Sequence, residues 1–140
     1  MELYRRAVAL VLSATALLKF VAILRHERLL EQTDPLTRMP MSQLTLAAAL
    51  IEVFLAVFVL TYKRSDLVLI AIHVCAWGFV GYHGAMIASG NLFCPCLGGG
   101  VSWWPWLGLH QTEASMAMAL WLWISTFVLL LPTLRKRFSQ

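Results

Sequence analysis

The chain has 140 residues, of which 60% are hydrophobic and 13% charged, where a soluble domain carries about 45–50% apolar and about 25% charged residues. With a mean hydropathy of +0.74, this composition excludes an ordinary soluble fold. Four apolar blocks, each near the roughly 20 residues that a spanning helix needs, leave no room for a large extramembrane catalytic module. The net charge of +4 sits in short basic clusters beside the apolar blocks, a topology signal rather than a nucleic-acid surface.

The first predicted span covers 7–24, interrupted only by Lys19. Arg5 and Arg6 ahead of an apolar run, with Ala14-Thr15-Ala16 as a small-x-small site, also have the form of a secretory signal. Lys19 and the apolar continuation to Leu24 favour an uncleaved span. The connection that follows carries Asp34-Pro35 and Met39-Pro40-Met41, and its prolines prevent a continuous helix.

The second span is expected over 44–60, with Glu52 as its only charge, and a short basic turn at Lys63-Arg64 leads into the third, 67–88. That span has no formal charge but holds His73, Cys75 and His83, with Gly78, Gly81 and Gly84 along one half. Small residues of this kind let helices approach one another. The stretch 89–113, with Cys94-Pro95-Cys96 and Trp103-Trp104-Pro105-Trp106, is too broken by Gly and Pro to span and reads as a loop anchored at the interface by its tryptophans. The fourth span covers 114–131, and Pro132 with Arg135-Lys136-Arg137 closes it.

Seven Lys and Arg residues fall in the N-terminus, second connection and C-terminus, against three in the first and third connections. The positive-inside rule then places both termini in the cytoplasm and the cysteine loop outside. In the inner membrane of a bacterium that loop faces the periplasm, where disulfides persist. The expected fold is an all-α integral membrane four-helix bundle, a single domain over 1–140, with Lys19 and Glu52 pointing inward.

Cys94 and Cys96 are the sharpest chemical feature. Two thiols one residue apart suit a redox couple, whose small ring departs from relaxed disulfide geometry and makes the bond more oxidising. They also suit copper(I), which prefers thiolate and thioether ligands, or a permanent structural disulfide. Met39, Met41, Met86, Met116 and Met118 fall on the same outer side, with His83 and His110 as added nitrogen donors. Methionine is also a common gap-filler, and on a helix Met116 and Met118 diverge by about 200°.

Lys19 and Glu52 are the only formal charges inside the spans, and an unpaired charge there costs several kcal/mol. At the helical rise they lie roughly 8 and 12 Å from the outer ends of their spans. They suit an ion pair between adjacent helices, with Lys19 snorkelling outward as the alternative, or a proton-linked or quinone-contacting site. His83, near the cysteine loop, suits either tuning of a thiol or a helix-to-helix hydrogen bond. His73 and Cys75 read as packing residues, and the six tryptophans as an interfacial belt or as a stacking surface for a planar cofactor such as quinone.

Leu17-Leu18-Lys19-Phe20, Ile51-Glu52-Val53 and Phe93-Cys94-Pro95-Cys96-Leu97-Gly98 together resemble the MauE and DoxX-like membrane proteins, the first named from methylamine utilisation. The resemblance implies a four-helix membrane protein with Cys94 and Cys96 as the redox pair and Glu52 as the recurrent acid of the second helix. It implies maturation of periplasmic redox proteins beside a thioredoxin-like partner, and, from the DoxX side, a link to quinone. The chain departs from the family's Cys-Gly-Cys-Phe-Gly pattern at Pro95 and Leu97. Compared with DsbB and vitamin K epoxide reductase, which relay electrons through two cysteine pairs, this chain has one pair plus Cys75. Copper handling, or an assembly factor without catalysis, are the competing functions.

Overall fold

The computed structural model describes residues 2–26, 28–90 and 111–138. Among them the chain is helical, with α1 (Glu2–Leu24), a short 3-10 turn (Arg28–Glu31), α2 (Met41–Thr61), α3 (Ser65–Ala88) and α4 (Gln111–Phe138), and no strand beyond one isolated bridge from Thr33 to Pro40. Helices α1, α2 and α3 are each long and apolar enough to cross a bilayer, and α4 has a shorter apolar stretch over Met116–Leu131. This is the build of a multi-pass membrane protein.

The helices pack chiefly as two antiparallel pairs, α1 with α2 and α3 with α4. Along α1 the buried positions Val8, Leu12, Thr15, Lys19 and Ala22 recur every three or four residues, and Thr45, Ala49, Glu52, Ala56 and Val59 do the same on α2. That is one face of each helix, and its alanines permit close approach of the backbones. The opposite faces carry Leu10, Leu17, Leu50 and Phe54, all exposed. An apolar outer face that a soluble protein would hide is what a bilayer requires. Val8, Leu12, Leu55, Val59, Val68, Ile72 and Leu122 draw the four helices together in one apolar cluster.

Local chemistry sets the helix ends. At the C-terminus of α2 the Arg5 guanidinium donates to the carbonyls of Val59 and Tyr62, supplying the donors that the last turn of a helix lacks. Gly90 closes α3 with φ +75°, a left-handed conformation that suits glycine at a helix terminus, and the Ser89 hydroxyl returns to the Met86 carbonyl at 2.8 Å.

Several ends differ from expectation: α1 begins at Glu2 rather than 7, α3 at Ser65 rather than 67, and α4 at Gln111 rather than 114. Helix α2 begins at Met41 rather than at 44, directly after Pro40, since a proline needs to interrupt only the backbone before it. Pro132 does not close α4, which continues to Phe138. A proline already has a helical φ, and the loss of one hydrogen bond is tolerated in helices of this kind.

Candidate functional site

The polar interior begins with Lys19. Its Nζ donates to Glu52 Oε1 at 2.7 Å and to Oε2 at 2.8 Å. Both residues are buried, at 2% and 4% exposure. Lys19 stands five residues before the end of α1 and Glu52 eleven residues into α2, and the flexible stem of the lysine covers the difference in depth. The ammonium therefore turns inward to the carboxylate instead of snorkelling outward. Thr15, one turn before Lys19, sets its hydroxyl beside the same carboxylate while donating to the carbonyls of Val11 and Leu12.

His83, on α3, is buried at 1% exposure and faces this pair across a small cavity of about 40 Å³ that Thr15, Lys19, Glu52, Phe79, His83 and Met118 help to line. Its Nδ1 has no hydrogen-bond partner among the described residues. His83 thus shares a cavity with the interior ion pair, while the cysteine loop to which the sequence relates it lies outside the described residues. His73, ten residues earlier, is turned to α4, with Nδ1 3.0 Å from the Thr126 hydroxyl and its ring stacked on Trp123 and Phe127. Trp77 meets the edge of Trp123 in the same cluster, so these aromatic rings pack against one another.

A second and larger cavity, about 740 Å³, lies between α2 and α3, which touch sparsely. Its walls include Ala48, Ile51, Ala71, Val74 and Gly78, with Lys19 and Tyr82 as polar members. Lys19 and Phe79 line both cavities, so the apolar groove and the polar interior meet at those two side chains. Cys75 also lines the groove, half-buried and packed against the core.

The connection between α1 and α2 holds a site that sequence reasoning missed. Asp34 is fully buried; its Oδ1 accepts from the Leu36 amide at 2.9 Å, the Thr37 amide at 2.6 Å and the Thr37 hydroxyl at 2.9 Å. Its Oδ2 accepts from the Tyr82 hydroxyl. Burial by itself would raise the Asp34 carboxyl, but the bonds from Tyr82, Thr37 and Leu36 outweigh it and hold the group below its ordinary value. The local signal was present in Asp34-Pro35-Leu36-Thr37, whose aspartate can cap its own turn; the partner on α3 leaves no local trace.

Among the described residues, the methionines named as candidate copper ligands divide between different settings. Met41 and Met86 pack in an apolar cluster with Ala22 and Leu30, while Met39 is exposed. Among the described residues no group of three or more His, Cys, Asp or Glu side chains is arranged to hold a metal ion. Cys94, Cys96 and His110, with the tryptophans at 103, 104 and 106, lie outside the described residues. Comparison of the chain with family models, curated proteins and solved structures finds no match.

Proposed function

We propose that this chain is a four-span protein of the bacterial inner membrane, similar to the MauE and DoxX-like proteins, that exchanges a disulfide through Cys94 and Cys96 with a periplasmic thioredoxin-like partner. Its role is then the maturation of periplasmic redox proteins, of the methylamine-utilisation type. In this reading α4 completes the bundle, both termini are cytoplasmic, and the segment 91–110 is periplasmic. The chemistry is a thiolate of one cysteine attacking a disulfide of the partner; a mixed disulfide forms, and the second cysteine resolves it by closing the Cys94–Cys96 bond while the partner leaves as a dithiol.

The observation that carries the reading is the Cys94-Pro95-Cys96 sequence itself, which begins six residues beyond the end of α3 at Ala88. The contact of Asp34 with Tyr82 supports it, because it brings the turn after α1 to the same end of the molecule as the end of α3. The opposite end carries Arg5, Arg6, Lys63 and Arg64, in keeping with a cytoplasmic face. A hydrophobic electron acceptor such as quinone is supported by the apolar groove, with Lys19 at its wall.

The test is a redox titration of the purified, metal-free protein, counting free thiols by alkylation and intact mass. A reversible two-thiol transition between about −120 and −230 mV is the expected result. A bond that resists reduction below about −300 mV identifies a structural staple, and a pair that stays reduced throughout overturns the disulfide reading and turns attention to copper. Cys94→Ser or Cys96→Ser is expected to trap a mixed disulfide with the partner.

A further inference from the structure

The cavity beside His83 has a property that packing does not explain. Its lining combines a buried imidazole nitrogen without a partner among the described residues, a carboxylate, an ammonium and a hydroxyl. Leaving a buried polar nitrogen unpaired costs on the order of 1–3 kcal/mol, a cost that a hydrogen-bonding guest removes. At about 40 Å³ the cavity is large enough for a water molecule, since a site needs roughly 10–15 Å³ of such volume and two to four polar partners. Thr15, Lys19, Glu52 and His83 supply those partners. The walls from α4, Met118, Ala119 and Leu122, are not titratable, and Tyr82 on α3 meets the His83 ring edge-on while its hydroxyl is engaged by Asp34.

We propose that this cavity binds one water molecule that joins His83 Nδ1 to the Glu52 carboxylate, forming a buried proton relay between α3 and α2. When the imidazole is protonated, Nδ1–H passes its proton to the water as the water passes one to Glu52. The imidazolium becomes a neutral imidazole, the carboxylate becomes a carboxylic acid, and the summed charge with Lys19 is unchanged. The relay stands apart from the thiol chemistry of the loop and does not depend on it.

The experiment is solid-state NMR of the full chain in lipid nanodiscs with ¹⁵N-labelled histidine. The expected result is a water correlation at His83 Nδ1, lost in Ala119→Val, whose added methyl groups fill the cavity. Glu52→Gln should move the His83 ring-nitrogen resonances, while those of His73, bonded to Thr126, stay in place. A His83 nitrogen without a water correlation in the wild-type protein overturns the proposal. So does a correlation that survives Ala119→Val, or a His83 that does not respond to Glu52→Gln in a folded variant. If Glu52→Gln fails to fold, Ala119→Val together with the wild-type spectrum decides.

Discussion

Lys19 and Glu52 are joined by two hydrogen bonds, of 2.7 and 2.8 Å, from one ammonium to both oxygens of one carboxylate, and they belong to adjacent antiparallel helices. Removing one member leaves the other as an uncompensated buried charge, which in protein interiors costs about 3–5 kcal/mol. Lys19→Met and Glu52→Leu are each expected to destabilise the protein by that order, and the double variant to recover most of the loss. Unfolding in mixed detergent micelles measures this. A double variant no better than the singles would mean that the pair contributes more than charge compensation.

The turn that Asp34 organises carries a pH dependence whose sign is set by its hydrogen bonds. The folded carboxyl lies below its ordinary value, so its ionised form is favoured by folding. The resulting stability is present above the unfolded value, about 3.9, and is lost as the pH falls through the lower folded value. Protection of the Leu36 and Thr37 amides, relative to the intrinsic exchange rate at each pH, should therefore be high at neutral pH and fall on acidification below about 3.9. Asp34→Asn should show low protection at neutral pH and little further change with acid. Tyr82→Phe should weaken the turn by about 1.5–3 kcal/mol, the scale of a hydrogen bond to a charged group.

Much of the helical layout was legible because a bilayer imposes a length and a composition on its spans. The apolar blocks after Arg6, Pro40 and Arg64 became α1, α2 and α3, and the comparison of depths that linked Lys19 to Glu52 used only the helical rise. Proline was a poorer guide. Pro40 marks the start of α2, whereas Pro132 lies inside α4, because one missing donor can end a helix or be absorbed by it. What was not legible depends on contacts across the bundle. Tyr82 meets Asp34 at a separation of 48 residues, and His83 shares a cavity with the ion pair of α1 and α2. In helices that are apolar on every side, hydropathy does not mark which side is buried.

Arg5 predicts a local effect rather than a global one. Its guanidinium reaches the carbonyls of Val59 and Tyr62 at the end of α2, where a cation is also favoured by the helix dipole, worth about 0.3–1 kcal/mol at exposed termini. Arg5→Met should fray the last turn of α2, with faster amide exchange over 58–62 and little change near Glu52. Arg5→Lys should restore part of the protection, since it keeps the charge but cannot fork between two carbonyls. Equal acceleration along the whole helix would show that Arg5 instead supports the packing of α1 on α2.

The two-sided arrangement of the helix ends gives a labelling prediction. Lys63 lies in the connection between α2 and α3, while Thr37 lies in the connection between α1 and α2; a spanning α2 must place them on opposite faces of the membrane. In a background with Cys75, Cys94 and Cys96 replaced, a cysteine at Lys63 should resist a membrane-impermeant maleimide added to intact cells and react after permeabilisation. The connection between α1 and α2 needs a site that does not bond Asp34, so Leu36 serves better than Thr37: its side chain is exposed, and only its amide contacts the carboxylate. Leu36→Cys should label in intact cells. Labelling of both positions from the same side would remove α2 as a membrane span, and labelling with the sides exchanged would retain the span but reverse the orientation inferred from the basic residues.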